Sequence, residues 1–158
     1  MNLRSERFDK LDRSVTGWMA RYGLTLLRWS IGLIFIWFGL LKYFEGLSPA
    51  QDLAIKTIST VSFGLVPDNL IIYGLATLEV LIGLGLVFNI FMRVTLLLLF
   101  FQMAGTFLPV FIFPGEVFNV FPYSLSLEGQ YIIKNIVILS SGIVLGATVR
   151  GHNPVGRF

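Results

Sequence analysis

Long apolar runs alternate along the chain with short polar connections. Four runs stand out, at residues 24–44, 69–88, 94–113 and 127–149. Each is long enough to cross a hydrocarbon core of about 30 Å as a helix. The pattern predicts an all-α polytopic membrane protein, a bundle of four transmembrane helices. The second run, NLIIYGLATLEVLIGLGLVF, carries a carboxylate, Glu79, near its centre. An ionised carboxylate at that depth is costly unless it is paired, hydrated or protonated.

The connections have patterns of their own. In residues 1–23, Phe8, Leu11, Val15, Trp18 and Tyr22 recur at spacings of three and four. Arg4, Arg7, Lys10 and Arg13 fall mostly between them, and Glu6–Lys10 and Asp9–Arg13 are i,i+4 pairs in the favourable order. This predicts an amphipathic cytoplasmic helix lying on the membrane, with Trp18 and Tyr22 at headgroup level. A solvated basic tail is the alternative. In the first outside loop, Ser48-Pro49-Ala50-Gln51 supplies a cap residue, a proline at the first helical position and Gln three after the cap. Leu53, Ala54, Ile58 and Val61 follow as an apolar stripe, so a short helix is expected there on the membrane. Asp68 is placed to cap the second span. The connection 89–93 is tight and makes spans two and three an antiparallel hairpin. A second outside loop follows Pro114-Gly115, with Phe118, Phe121 and Tyr123 expected in the interface. Residues 150–158 form a short basic cytoplasmic tail.

Inside the spans, small and polar residues repeat at intervals of seven. Thr95, Gln102 and Pro109 do so in the third span, with Thr106 alongside, and Lys134, Ser141 and Thr148 in the fourth, where Asn135 adjoins the lysine. In the first span Arg28 and Lys42 are fourteen residues apart, close to four turns, with Gly32 and Gly39 on the same side. Ala76 and Gly83 flank Glu79. A seven-residue repeat keeps one stripe facing a bundle axis, and small residues admit a neighbouring backbone. The polar stripes are therefore expected to converge as a site made of Arg28, Lys42, Glu79, Gln102, Lys134 and Asn135. Lys134 and Arg28 are the expected partners of Glu79, whereas Lys42 also suits a snorkelling residue at a span end. Such a cluster either holds helices together or forms a small-molecule or proton site. Trp29, Phe35, Trp37 and Phe38 are candidates to flank an apolar ring.

Composition narrows the chemistry. The chain is 55% hydrophobic and only 13% charged, which agrees with a bundle in lipid and leaves no room for a soluble domain. No cysteine is present, and the single histidine, His152, lies in the tail. Thiol exchange, iron–sulfur ligation and a histidine-held metal within the spans are thereby excluded. No catalytic triad or phosphate loop is present, and Gly83-Leu84-Gly85 follows no strand, so it reads as helix packing.

Arg28 with Gly39-Leu40-Leu41-Lys42, Glu79 with Gly83, and Leu127-Glu128-Gly129-Gln130 leading to Lys134-Asn135 resemble the pattern of the DoxX-like family of small four-helix bacterial membrane proteins. The resemblance implies an accessory membrane component of a redox system. One branch of that family resembles the small subunit of thiosulfate:quinone oxidoreductase, and others accompany oxidative-stress enzymes. A bound quinone, a soluble or membrane oxidoreductase partner and a homo-oligomer are then expected, with no cofactor within the chain itself and no nucleic acid. Two other classes stay open: a lipid-binding or assembly protein, and a proton-coupled transporter, against which the lack of an inverted repeat argues.

Orientation follows from charge. Arg4, Arg7, Lys10, Arg13 and Arg21 precede span one, Arg93 lies in the second connection, and Arg150 and Arg157 lie in the tail. Outside the spans, Lys56 alone falls in the opposite set of loops. The positive-inside rule places both termini in the cytoplasm of a bacterial inner membrane. A reporter fused after Phe158 is expected to be active only in a form that works in the cytoplasm; activity of a periplasm-dependent reporter there would invert every loop assignment.

Overall fold

A computed structural model describes residues 3–44, 46–48 and 50–149, with side chains from Phe8 onward. The side chains of Arg4 and Arg7, the proposed Pro49 helix start and the whole tail, with Arg150, His152 and Arg157, lie outside the described residues. Four described helices are long and apolar enough to cross a membrane. They are α1 (Leu3–Leu41), α3 (Asp68–Phe88), α4 (Met92–Ile112) and α6 (Leu127–Thr148). Between them lie α2 (Gln51–Val61), α5 (Pro114–Val117) and a two-stranded antiparallel hairpin, β1 (Phe118–Val120) with β2 (Ser124–Leu125). Helix α1 packs most extensively on α3, α3 on α4 and α4 on α6; α6 also touches α1. The fold is the expected all-α bundle, with the hairpin as a small unforeseen addition.

The α1–α3 contact rests on three glycines. A Cβ on Gly83 would lie 2.6 Å from the Gly32 carbonyl oxygen and 2.8 Å from the Ile36 nitrogen. A Cβ on Gly39 would lie 3.0 Å from both the Glu79 Cβ and the Val80 nitrogen. Lipid tails are as apolar as the side chains they contact, so helices in a bilayer gain by close backbone approach, which only small residues allow. Around this contact Ile31, Phe35, Ile82, Leu86, Leu96, Leu99, Met103 and Leu145 form the main core.

The two ends of the bundle differ. One is closed by the tight α3–α4 turn, where Asn89 and Phe91 take left-handed φ values of 58° and 44°. The other carries α2, α5 and the hairpin. Here Leu53, Val117 and Ile132 make a second, smaller core. Lys56 of α2 pairs with Glu116 of α5 and lies 4.6 Å over the Phe113 ring. Ser126 caps α6 by accepting from the Gly129 N–H, and its hydroxyl donates to the Glu116 carbonyl oxygen.

Three details depart from the sequence pattern. The amphipathic segment and the first span are one continuous helix of 39 residues, about 58 Å long. Gly23 alone stands at the expected junction, and one glycine costs only about 1 kcal/mol in a helix. Helix α2 begins at Gln51 after a left-handed Ala50, without a side-chain cap bond. The capping box expected at Ser48 needs an extended cap residue next to the helix, and Ser48 lies too far ahead. Helix α2 also packs on α3 and α4, burying Leu53 and Thr57, while Val61 at the end of its stripe is exposed. Asp68 is the first residue of α3, behind Pro67 as cap, and so favours the helix N-terminus through its charge.

The glycine contact yields a direct test. Gly83→Ala is expected to destabilise the bundle by about 1–3 kcal/mol through overpacking against backbone atoms. Gly74→Ala and Gly105→Ala, whose new methyl groups would meet nothing within 4 Å, are expected to be neutral or slightly stabilising. Thermal unfolding of the three variants in one detergent measures the contrast.

Candidate functional site

The main-chain course of α1 and α3 determines what Glu79 meets. The two helices run antiparallel, with Gly32 opposite Gly83 and Gly39 opposite Glu79. Lys42 follows directly after the last helical residue of α1, so its long side chain reaches back along α3. Its Nζ donates to Glu79 Oε2 at 2.6 Å and makes a longer contact of 3.5 Å with the Phe38 carbonyl oxygen. From α4, Gln102 Nε2 donates to Glu79 Oε1 at 2.9 Å. Both carboxylate oxygens thus have donors, from two different helices. The side chains of Lys42 and Glu79 are each only 11% exposed. Next to the cluster, Tyr43 donates to the Thr77 hydroxyl at 2.8 Å, since that hydroxyl already donates to the Tyr73 carbonyl oxygen. The Tyr43 and Tyr73 rings stack above it with centroids 6.0 Å apart.

Of the six residues expected to converge, the structure brings together Lys42, Glu79 and Gln102. Lys42, not Lys134 or Arg28, is the cation on Glu79. Arg28 lies eleven residues before Gly39, about 16 Å further along α1, and no side chain spans that distance. Lys134 is exposed. Near the start of α6 the buried residues are Gly129 and Ile132, and two residues beyond Ile132 is about 200° round the helix. Further along, α6 buries Ser141, Gly142 and Leu145, a different side. The seven-residue stripe therefore faces the bundle at Ser141 and faces away at Lys134. Asn135 is half-buried and, among the described residues, makes no hydrogen bond to Lys42, Glu79 or Gln102. In α4 the repeat behaves differently: Thr95, Gln102 and Pro109 are all buried. Trp29 and Trp37 point outward, 49% and 69% exposed, so they cannot flank a ring in the seam; Phe35 is buried and Phe38 half-buried.

Two concavities lie away from the cluster. One, of about 480 Å³, opens at the looped end beside Gln51, Asp52, Glu116 and Glu128. The other, of about 470 Å³, lies at the tight end against Arg28 and Asn89. Sequence spacing pointed to neither, because each is assembled from loop residues and helix ends distant in the chain. No group of acidic or histidine residues able to hold a metal occurs among the described residues.

Chemically, the cluster is a charge pair with donors to spare. The ammonium has three N–H bonds and the amide two, whereas Glu79 takes one from each. The remaining donors suit an acceptor such as a carbonyl oxygen. Breaking the pair is expected to be costly, because it strands a charge in a water-poor site. Glu79→Gln or Lys42→Met alone is expected to lose roughly 3–5 kcal/mol of stability. The double variant is expected to lose clearly less than the sum, since the two residues act as one unit. Unfolding of the four proteins of this cycle checks it; strict additivity would mean that the two charges do not interact.

The same geometry frames the comparison with known proteins. No curated protein and no solved structure matches the chain significantly. The family model DoxX matches residues 23–113. That stretch is more than half of the chain and contains the glycine contact together with Lys42, Glu79 and Gln102, and the protein belongs to the DoxX family.

Proposed function

We propose that the protein is an accessory membrane subunit of a redox system, quinone-linked or concerned with oxidative stress, and that its polar cluster holds the head of a quinone-type molecule. The observation that carries this reading is the set of N–H donors on Lys42 and Gln102 that Glu79 does not take up, fixed in place by Glu79 inside an apolar bundle. A site of this kind, mostly apolar with a few convergent polar groups, suits an apolar ring bearing carbonyl oxygens. Glu79 serves chiefly to position the two donors, and it is the one carboxylate within the spans available to exchange a proton with a reduced ring. The chain has no cysteine and no histidine in its spans, so electrons pass through a partner oxidoreductase and not through this subunit. In this reading the tight end, with Arg93, faces the cytoplasm of a bacterial inner membrane.

A second reading has its own support. Both oxygens of Glu79 are already satisfied by the chain, which is what a purely structural clasp between α1, α3 and α4 requires. The protein is then an assembly or lipid-binding component with no small molecule at the cluster.

Binding of a water-soluble quinone analogue to the reconstituted protein separates the two. The redox-subunit reading expects saturable binding that Lys42→Met and Gln102→Leu weaken by about tenfold or more, as loss of a charge-assisted bond does. Lys134→Ala, on the exposed face of α6, is expected to leave it unchanged. Equal affinity in all folded variants would assign the cluster to structure alone.

A further inference from the structure

Arg28, like Lys134, is left out of the Glu79 cluster, but unlike Lys134 it is half-buried. Its Nη1 is shut off from solvent and has no hydrogen-bond partner among the described residues. The residue lines the tight-end cavity of about 470 Å³, together with Thr25, Asn89, Met92, Thr148 and Val149. Arg28 as a whole is half-buried, but a guanidinium N–H held away from water without an acceptor is costly, so an acceptor, best a negative one, is called for.

The described residues do not supply it. Of the nine acidic residues, all but Glu45 are described, and those eight lie elsewhere. Glu6, Asp9 and Asp12 lie at least sixteen residues back along the same helix, about 24 Å away. Asp52, Asp68, Glu116 and Glu128 lie in the first turns of α2, α3, α5 and α6, at the opposite end of the spans. Glu79 is taken by Lys42. The sequence of residues 150–158 contains two arginines and no Asp or Glu.

We propose that this cavity binds a phosphate ester, with the Arg28 guanidinium as its charged fork. A planar guanidinium matches two phosphate oxygens at once. Asn89 and Thr25 bring an amide and a hydroxyl to the same wall, whereas the Thr148 hydroxyl donates to the Leu145 carbonyl oxygen and so serves as wall only. Met92 opens α4 with N–H groups that have no partner within the helix, whereas Asn89 and Val149 close α3 and α6 with carbonyl ends of opposite sign, so the charge that would select an anion is that of the guanidinium itself. A space of this volume is larger than one phosphate and has apolar wall for an ester substituent. It lies where the spans end, at the depth of lipid headgroups. A phospholipid headgroup and a water-soluble phosphate ester share the chemistry, and the experiment separates them.

The purified full chain in a neutral detergent is titrated with short-chain phosphatidylglycerol, with glycerol 3-phosphate, with inorganic phosphate and with a short-chain diacylglycerol lacking phosphate. Saturable binding of a phosphate-bearing probe and none of the diacylglycerol is the expected result. Phosphatidylglycerol binding that glycerol 3-phosphate does not compete away marks a lipid site; comparable binding of glycerol 3-phosphate marks a soluble ester. Arg28→Gln is expected to weaken binding by about tenfold or more. Arg28→Lys, which keeps the charge but not the fork and serves if the glutamine variant does not fold, is expected to fall between. Failure of every phosphate-bearing probe to bind the unsubstituted protein overturns the proposal. So does equal binding of the diacylglycerol, or unchanged affinity in folded Arg28→Gln and Arg28→Lys.

Discussion

A carboxylate in the middle of a lipid-embedded helix restricts how that helix can be placed. Glu79 must turn away from lipid and must find donors, and water is not at hand to provide them. The donors come from α1 on one side and α4 on the other. That requirement sets the rotation of α3 about its own axis and brings its two neighbours to the same level. The glycine contact between α1 and α3 is the complementary half of the arrangement. It lets the backbones approach closely enough for a lysine just beyond the end of α1 to reach a residue in the middle of α3. Neither feature alone would fix the register; together they leave one antiparallel alignment, with Gly32 opposite Gly83 and Gly39 opposite Glu79.

The remainder of the bundle is organised by the difference between its ends. At the tight end, left-handed residues return the chain within a few positions, and the main core fills the space behind them. At the looped end, α2 and α5 cover the helix termini and build a small core of their own around Leu53, Val117 and Ile132. Gly129 belongs to this second core, because a side chain there would collide with the Val117 carbonyl oxygen. Polar contacts at this end, such as Lys56–Glu116, are exposed and of the kind that contributes little to stability.

Much of this architecture was legible in the sequence, for a physical reason: apolar length is read directly by the bilayer, so the spans follow from composition alone. The carboxylate, its burial among small residues and the inward face of α4 at Thr95, Gln102 and Pro109 were legible too. The partner of Glu79 was not. Sequence spacing gives angular position on one helix, whereas a pair between helices depends on how far one slides along the other. Lys42 looked like an end residue because it is one; the close α1–α3 crossing is what brings the end of α1 to Glu79. Lys134 failed for another reason. The stripe on α6 presumes a single neighbour along its whole length, but that helix faces α5 and the hairpin at its start and α4 further on. The continuity of α1 was equally hidden, since polar residues mark where water begins, not where a helix stops.

The uninterrupted α1 has a directional consequence. Phe8, Leu11, Val15, Trp18 and Tyr22 are exposed, and the same angular sector carries on through Trp29, Leu33, Trp37 and Leu40 on the outward side of the bundle. The lipid-facing stripe thus runs past the hydrocarbon core without a change of side. Helix α1 is almost twice as long as that core is thick, so the excess must stand in water or fold over. If it flexes at Gly17 or Gly23, where no neighbouring atom obstructs, the two senses of flexure are not equivalent. Leaning away from the bundle lays the stripe face-down on the leaflet, with the arginines and lysines uppermost. Leaning over the bundle turns the stripe to water and presses the basic face onto the Arg28 mouth. The sequence order of one helix thereby gives the protein a preferred outward sweep, away from the tight end.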